Sequence, residues 1–389
     1  MRGFLVVVPI FLVGAFAQPA QPPAFEVVHD GGQQLGDVAW SLVERPEGGF
    51  LIASEHLLDE KVDSHNRAAR VLVANPAGTV EKTVPLPGFT HAHRIRKLPD
   101  GRFIVAGNKK GHGASIALLD GDGTVLDVHG RLVGGDRPNA ATDAIPTPDG
   151  GVLLACHDGL RGFLTKLDAA FKTQWSTAVV TNLHYVKSAV QLPGGDCVMV
   201  GQHGGGKGVH LARWNRVGTL LEEQVHRPDR STNKGRKLIL NRAGQVIVTG
   251  MLGSGGRGQF LFMKLDPAKL AEPLLTVRVA MPDSVSNYGQ AITQCRDGSY
   301  VIAGRSGRDG SHLLSMVRVD GAGKVIAGPK YFGRSDPDSG EAGYDVVECR
   351  DGSIAVVGMH GTKLLDGGKI TDISPGTDVF LVRTHLDAD

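Results

Sequence analysis

One phrase recurs seven times along this chain: an apolar segment, a turn that ends in glycine, then a short run of β-forming residues. It reads Pro46-Glu47-Gly48 before Gly49-Phe50-Leu51-Ile52-Ala53, and Pro99-Asp100-Gly101 before Arg102-Phe103-Ile104-Val105-Ala106. Later copies turn at Pro148-Asp149-Gly150, Pro193-Gly194-Gly195, Arg242-Ala243-Gly244, Arg296-Asp297-Gly298 and Arg350-Asp351-Gly352. The marker glycines at 48, 101, 150, 195, 244, 298 and 352 are spaced by 53, 49, 45, 49, 54 and 54 residues. Seven copies at this period predict a radial array of small sheets, an all-β, seven-bladed β-propeller.

Each copy resolves into four strands joined by hairpins. A third strand, such as Leu313 to Val319, ends in Asp or Asn followed three residues later by glycine, as at Asn75 to Gly78, Asp120 to Gly123, Asn215 to Gly218 and Asp320 to Gly323. The first side chain of such a turn bonds the backbone while glycine takes the positive φ. Asp120-Gly121-Asp122-Gly123 has some calcium-loop character, but the same slot elsewhere lacks the second carboxylate, so turn chemistry is the reading. The last repeat stops after its third strand, Phe380-Leu381-Val382-Arg383, and Phe25-Glu26-Val27-Val28-His29 is the outer strand that remains to complete it. An N-terminal strand in the last blade closes the ring without an unpaired sheet edge.

Glycine, at 54 of 389 residues, has twice the usual share of roughly 7%, as many tight turns require. Met1 to Ala17 has one early charge at Arg2, an apolar run from Phe4 to Phe16 and an Ala15-Phe16-Ala17 close, the pattern of a cleavable secretory signal. The run is short for a bilayer span and is not repeated. A single propeller domain over residues 18–389 is therefore expected to be secreted or periplasmic, with no membrane partner. Lys and Arg number 42 against 40 Asp and Glu, so net charge gives nucleic acid no support. Cys156, Cys197, Cys295 and Cys349 read as small buried apolar residues, with a Cys295 to Cys349 bridge as the alternative, because their repeats place them equivalently.

Function should sit on the face where the innermost strands begin. The positions eight and seven residues before each marker glycine are Trp40 and Ser41, His93 and Arg94, Thr142 and Asp143, Lys187 and Ser188, Arg236 and Lys237, Gln290 and Ala291, Tyr344 and Asp345. They are expected to open the inner strands, with His91, His184, Tyr185, Lys234 and Tyr288 beside them. Such a polar and aromatic ring suits a binding channel. Loops between second and third strands add His56, His65, His112, His157, His203, His312 and His360, which puts ten of the fifteen histidines on one face. Arg305 and other basic residues of blades two to six make an arc that would attract a polyanion, beside an acidic sector at blades one and seven. His91-Ala92-His93 has two histidines on one side of a strand, which raises a metal; hydrogen-bonding channel histidines are the preferred reading, and no cofactor is expected. Gly201-Gln202-His203-Gly204-Gly205-Gly206-Lys207-Gly208 is not a phosphate loop, since Gly208 replaces the Ser or Thr and a strand follows instead of a helix. No Gly-x-Ser-x-Gly elbow occurs.

The phrase from Gly343 to Gly358, Gly-Tyr-Asp-Val-Val-Glu-Cys-Arg-Asp-Gly-Ser-Ile-Ala-Val-Val-Gly, resembles a repeat of exported bacterial seven-bladed propellers. In architecture and residue types the chain is also similar to the ulvan-lyase type of polysaccharide lyase. That resemblance implies β-elimination of a uronate glycan, sulfated or not, by a secreted monomer that binds an anionic polysaccharide. His93, His112 or His157 would be the base, Tyr185, Tyr288 or Tyr344 the acid, and Arg94, Lys187, Arg236 or Arg305 the group that neutralises the carboxylate. Trp40, His91, His184, Lys234 and Gln290 would line the substrate. The alternative is a non-catalytic propeller that binds an anionic glycan or a protein on the same face. A glycosidase is the weakest reading, because Asp143 and Asp345 are the only carboxylates at the inner-strand openings of blades two to seven.

Overall fold

The computed structural model describes residues 24–31, 35–59, 66–133, 140–158, 161–177, 180–204, 207–228, 232–253, 257–308, 311–334, 340–361 and 376–387. The expected secretory leader, Met1 to Ala17, and His65 lie outside them. Seven antiparallel sheets follow one another around a ring, and the first six run from an inner strand outward in chain order. Blade one is Asp37–Glu44, Phe50–Leu57, Arg67–Ala74 and Val80–Pro85. Blade three carries one extra short strand, Val180–Thr181, beside Arg161–Leu167. The last blade takes its outer strand from the start of the chain: Phe25–His29 pairs antiparallel with Asp378–Thr384, from Phe25 opposite Arg383 to His29 opposite Val379. The ring therefore closes through backbone hydrogen bonds between the two ends of the chain.

The marker glycines explain why the hairpins fall where they do. All seven have φ between +77° and +96°, a region costly for residues with a Cβ. Each donates its N–H to the carbonyl three residues back, as Gly101 does to Leu98 at 3.0 Å. The Asp120 carboxylate accepts from the N–H groups of Asp122 at 3.0 Å and Thr124 at 2.8 Å, so that oxygen serves the turn.

The apolar core lies between blades, because strand side chains stand on the two faces of each sheet. Leu98, Ile104 and Ile116 of blade two, for example, pack against Ala144, Leu154 and Phe163 of blade three. The four cysteines are buried free thiols, and Cys295 and Cys349 are not bridged.

On the face away from the inner-strand starts, the residue two before the marker glycine distinguishes two halves of the ring. It is proline in blades one to four and arginine in blades five to seven. Arg242 donates to the Arg296 carbonyl at 2.8 Å, Arg296 to the Arg350 carbonyl at 2.7 Å, and Arg350 to the carbonyls of Pro46 and Arg45. Glu348 and Glu44 accept the backbone N–H of Arg296 and Arg350 at 2.8 and 3.0 Å. A chain of arginine latches thus crosses the junctions from blade five to blade one, including the seam where the ring closes.

Candidate functional site

In a regular inner strand the side chains face the neighbouring blades and only backbone faces the axis. A bulge changes this by inserting one residue and re-aiming its side chain. All seven inner strands slip register at the same place: between Ala39 and Ser41, Ala92 and Arg94, Ala141 and Asp143, His184 and Ser188, Gly235 and Lys237, Gly289 and Ala291, and Gly343 and Asp345. The residue eight before each marker glycine falls inside the slip. The strands begin earlier than the sequence reading placed them, at Asp37 in blade one, so these residues are bulges within strands and not strand openings.

The strand opposite must make room. A Cβ on Gly107, Gly250, Gly304 or Gly358 would lie 1.7 to 1.9 Å from the carbonyl oxygen of the bulged partner strand. This is why glycine recurs six residues after the marker in five of the repeats, with Ser54 and Cys156 in the other two.

The seven bulged residues, Trp40, His93, Thr142, Lys187, Arg236, Gln290 and Tyr344, all line one cavity of about 380 Å³ on the axis, with Arg94, Gln202, Lys234, Tyr288 and Arg305 completing it. Its walls are unlike. On blades five and six, Lys234 donates to the Tyr288 hydroxyl at 2.9 Å, and its ammonium lies 5.3 Å from that ring. The Arg305 and Arg236 guanidinium groups lie 4.9 and 5.8 Å from the same ring. On blades one and seven, the Trp40 and Tyr344 rings are 4.6 Å apart at 36°. The Lys187 ammonium sits 5.9 Å from Trp40, and the His93 ring stands edge-on to it at 6.3 Å. Five cationic side chains and no carboxylate line the cavity among the described residues. Nε of Arg236, Nε of Arg305 and Nε1 of Trp40 are buried donors with no acceptor among those residues.

The residues after six of the bulges, Ser41, Arg94, Asp143, Ser188, Lys237 and Asp345, form a buried layer of paired polar groups beside the cavity, while Ala291 of blade six joins the apolar core. Asp345 accepts from Ser41 at 2.7 Å and pairs with Arg94 at 2.7 Å and Lys237 at 3.7 Å. Asp143 takes both arms of Arg96 at 2.8 Å, lies 3.7 Å from Arg94 and accepts from Ser188 at 3.2 Å. Ser41, Asp143, Ser188 and Ala291 are wholly buried, and Arg94, Lys237 and Asp345 nearly so. Burial alone would raise both carboxylates. Arg96, Arg94 and Lys237 instead hold Asp143 well below the usual range, and Arg94 and Lys237 hold Asp345 down. Burial, then the charge of Arg94, pushes the Lys237 ammonium down to about 7, although both carboxylates oppose the shift. Arg94 bridges the two carboxylates a glycosidase would need, and neither is free to act.

Histidine rings come together in two groups, His91 with His93 and His203 with His210, whose rings lie 5.3 and 5.4 Å apart. A second irregularity in blade two, between Phe89 and His91, lays the His91 ring on His93 at 5.3 Å. Burial first, then the charges of His91, Lys187 and His157, keeps the His93 imidazole well below its ordinary value and hence neutral at pH 7. His157, at the end of its strand, is pushed down to about 4 by burial and then Lys187. His112 is exposed on the loop before Gly113–Leu119. His184 lies at the start of Leu183–Gln191, beside Gly204. Tyr185 is on the same strand, its side chain outside the described part of the structure. Thr142 and Gln202 line the cavity without having been singled out as site residues. Thr142 had a signal, its offset from Gly150; Gln202 reaches the axis from a second strand and had none.

Among the described residues one trio has metal-ligand atoms within 4.8 Å of one another, Asp30, Asp37 and Asp378. Asp37 is already paired with Arg70 and accepts the Gly31 N–H at 2.8 Å. Among the described residues His91 and His93 have no third ligand at that range.

No family model matches the sequence, and no curated protein matches it. Solved structures do resemble the chain. Kuenenia stuttgartiensis hydrazine synthase aligns at TM-score 0.58 and 13% identity, over 97% of this chain and 100% of that one. A fungal alcohol oxidase of the AA5 family, in complex with copper, aligns at 0.56 and 13%, over 94% and 76%. The Dos1 propeller aligns at 0.52 and 11%, over 90% and 80%. At these identities the likeness shows the fold alone. The chain is a seven-bladed β-propeller.

Proposed function

We propose that this chain, acting outside the cytoplasm, captures an anionic carbohydrate of the uronate class in the axial cavity. The observation that carries the reading is that, among the described residues, four cationic side chains besides the ion-paired Arg94 line the cavity and no carboxylate does. At an effective dielectric of 20, two unit charges 4 Å apart interact by about 4 kcal/mol, so an entering anion relieves the mutual repulsion of these groups as well as pairing with them. Thr142, Gln202 and Gln290 add neutral hydrogen-bonding groups for hydroxyls. The packed Trp40 and Tyr344 rings add an apolar wall for the hydrophobic side of a pyranose.

A second reading, β-elimination, is favoured by one observation: His93 is neutral beside Lys187, so it can accept a proton where a cation can neutralise a carboxylate. Burial lowers the basicity of that imidazole, whereas the cations of the cavity serve capture directly. Calorimetric titration with uronate oligosaccharides tests the capture. Wild type should bind them and not neutral glycans of the same linkage. The double variant Arg236→Ala with Arg305→Ala should bind at least about 100-fold more weakly, from charge-assisted hydrogen bonds worth roughly 1.5–3 kcal/mol each. Equal binding of neutral glycans would refute the reading. Ultraviolet absorbance of an unsaturated product, lost in His93→Ala, would mark elimination.

A further inference from the structure

We propose that the cavity recognises the end of its glycan, seating a terminal anionic sugar and not an internal stretch of chain; this rests on the capture proposed above. The geometry that points to it is a cavity that, among the described residues, is closed on one side by cross-blade pairs of Arg94 with Asp143 and Asp345 and of Lys237 with Asp345. Inner strands of all seven blades surround the cavity, and the buried layer of Ser41, Arg94, Asp143, Ser188, Lys237 and Asp345 is its floor.

A sugar bound within a polymer needs a way out for the chain on both sides. Here both neighbours would have to leave by the same mouth, a hairpin that a stiff linear polyuronate does not make. A terminal sugar needs one exit. The space also fits one end: about 380 Å³ lies at the low end of the 300–1,000 Å³ typical of small-molecule sites.

The unlike walls orient the terminal unit. Its carboxylate belongs against Arg236 and Arg305, whose buried Nε donors have no acceptor among the described residues. Its ring belongs on Trp40 and Tyr344 across the axis, and the rest of the chain rises past the rim. The two arginines of the floor are turned to its carboxylates instead of the cavity, Arg96 to Asp143 and Arg94 to both Asp143 and Asp345.

Stoichiometry tests the inference. The full chain without its leader is titrated calorimetrically with a uronate disaccharide, a short oligomer and a long polymer of one linkage, with concentrations expressed as whole chains. End recognition predicts a single protein per chain end at every length and an affinity per end that changes by less than about threefold. A number of bound proteins that grows with polymer length overturns it, and so does a polymer that binds while the disaccharide does not. Failure of every uronate to bind is a different result and overturns the capture itself. Arg305→Ala should weaken disaccharide and polymer by the same factor, since both present the same group to it.

Discussion

Asp345→Asn is a shape-conserving change that isolates the charge balance beneath the cavity. In the floor three cations, Arg94, Arg96 and Lys237, face two carboxylates, Asp143 and Asp345. The asparagine keeps a partner for Ser41 and leaves those cations facing Asp143 alone. Removing one partner of a buried pair costs about 3–5 kcal/mol, because the other charge stays buried without compensation. We expect that loss in urea unfolding at neutral pH. The pH dependence adds a second reading of the same change. Lys237 has a folded value of about 7 against an ordinary 10.5. Below pH 7 both states hold the proton, so this lysine gives stability no slope. Between those values the unfolded state holds a proton that the folded state has lost, so stability rises with pH by about 1.4 kcal/mol per unit. Asp345 is one of the groups that raise Lys237, so in the variant the rise begins at lower pH. The deficit against wild type should be largest on the acid side of pH 7 and narrower above it. Lys237→Met in the Asp345→Asn background should recover stability on the acid side and little under alkaline conditions. An Asp345→Asn protein within about 1 kcal/mol of wild type, or a deficit indifferent to Lys237→Met at acid pH, would refute the claim that excess buried positive charge governs this layer.

Gly358→Ala should destabilise the fold by about 3 kcal/mol, since its Cβ would lie 1.7 Å from the Ala342 carbonyl oxygen and relief requires the bulge to move; a change under about 1 kcal/mol in urea unfolding would mean that the bulge is soft. Arg350→Ala should cost about 1 kcal/mol, because its contacts to Pro46 and Arg45 are charge-assisted but its side chain is 58% exposed. Hydrogen exchange in Phe25–His29 should quicken in that variant, and unchanged exchange would show that the latch does not hold the seam.

The fold was legible because its strongest signal is local: a turn that needs φ near +90° selects glycine whatever surrounds it, and seven such turns count the blades. The ring of cavity residues was legible for a related reason. The bulge keeps a constant offset from the turn, so Trp40, His93, Lys187, Arg236, Gln290 and Tyr344 could be found by counting back from the marker. The histidine-rich face was a poorer guide. Second strands sit a strand's width of roughly 4.8 Å farther from the axis, so loop residues such as His112 share the face without sharing the cavity. The floor was hidden because its partners come from different blades. No local pattern announces that Arg94 meets Asp345; ring closure brings them together. Arginine two residues before the glycine in the last three repeats was visible, but its meaning depends on which carbonyl the neighbouring blade presents.

That arginine chain makes one repeated tie along an arc of an almost repetitive ring. Three consecutive junctions are stitched, and the stitches span the seam where the first and last strands meet, the point at which a ring made from one linear chain has no covalent continuity. The other junctions carry ties that do not repeat, such as Arg45 of blade one on the Gly121 carbonyl of blade two at 3.3 Å, Arg96 of blade two on Asp143 of blade three, and Arg213 of blade four on the Pro267 carbonyl of blade five at 2.8 Å. Chain connectivity and side-chain ties are complementary fasteners: one covers the junctions within the chain, and the other also reinforces the junction that connectivity leaves open.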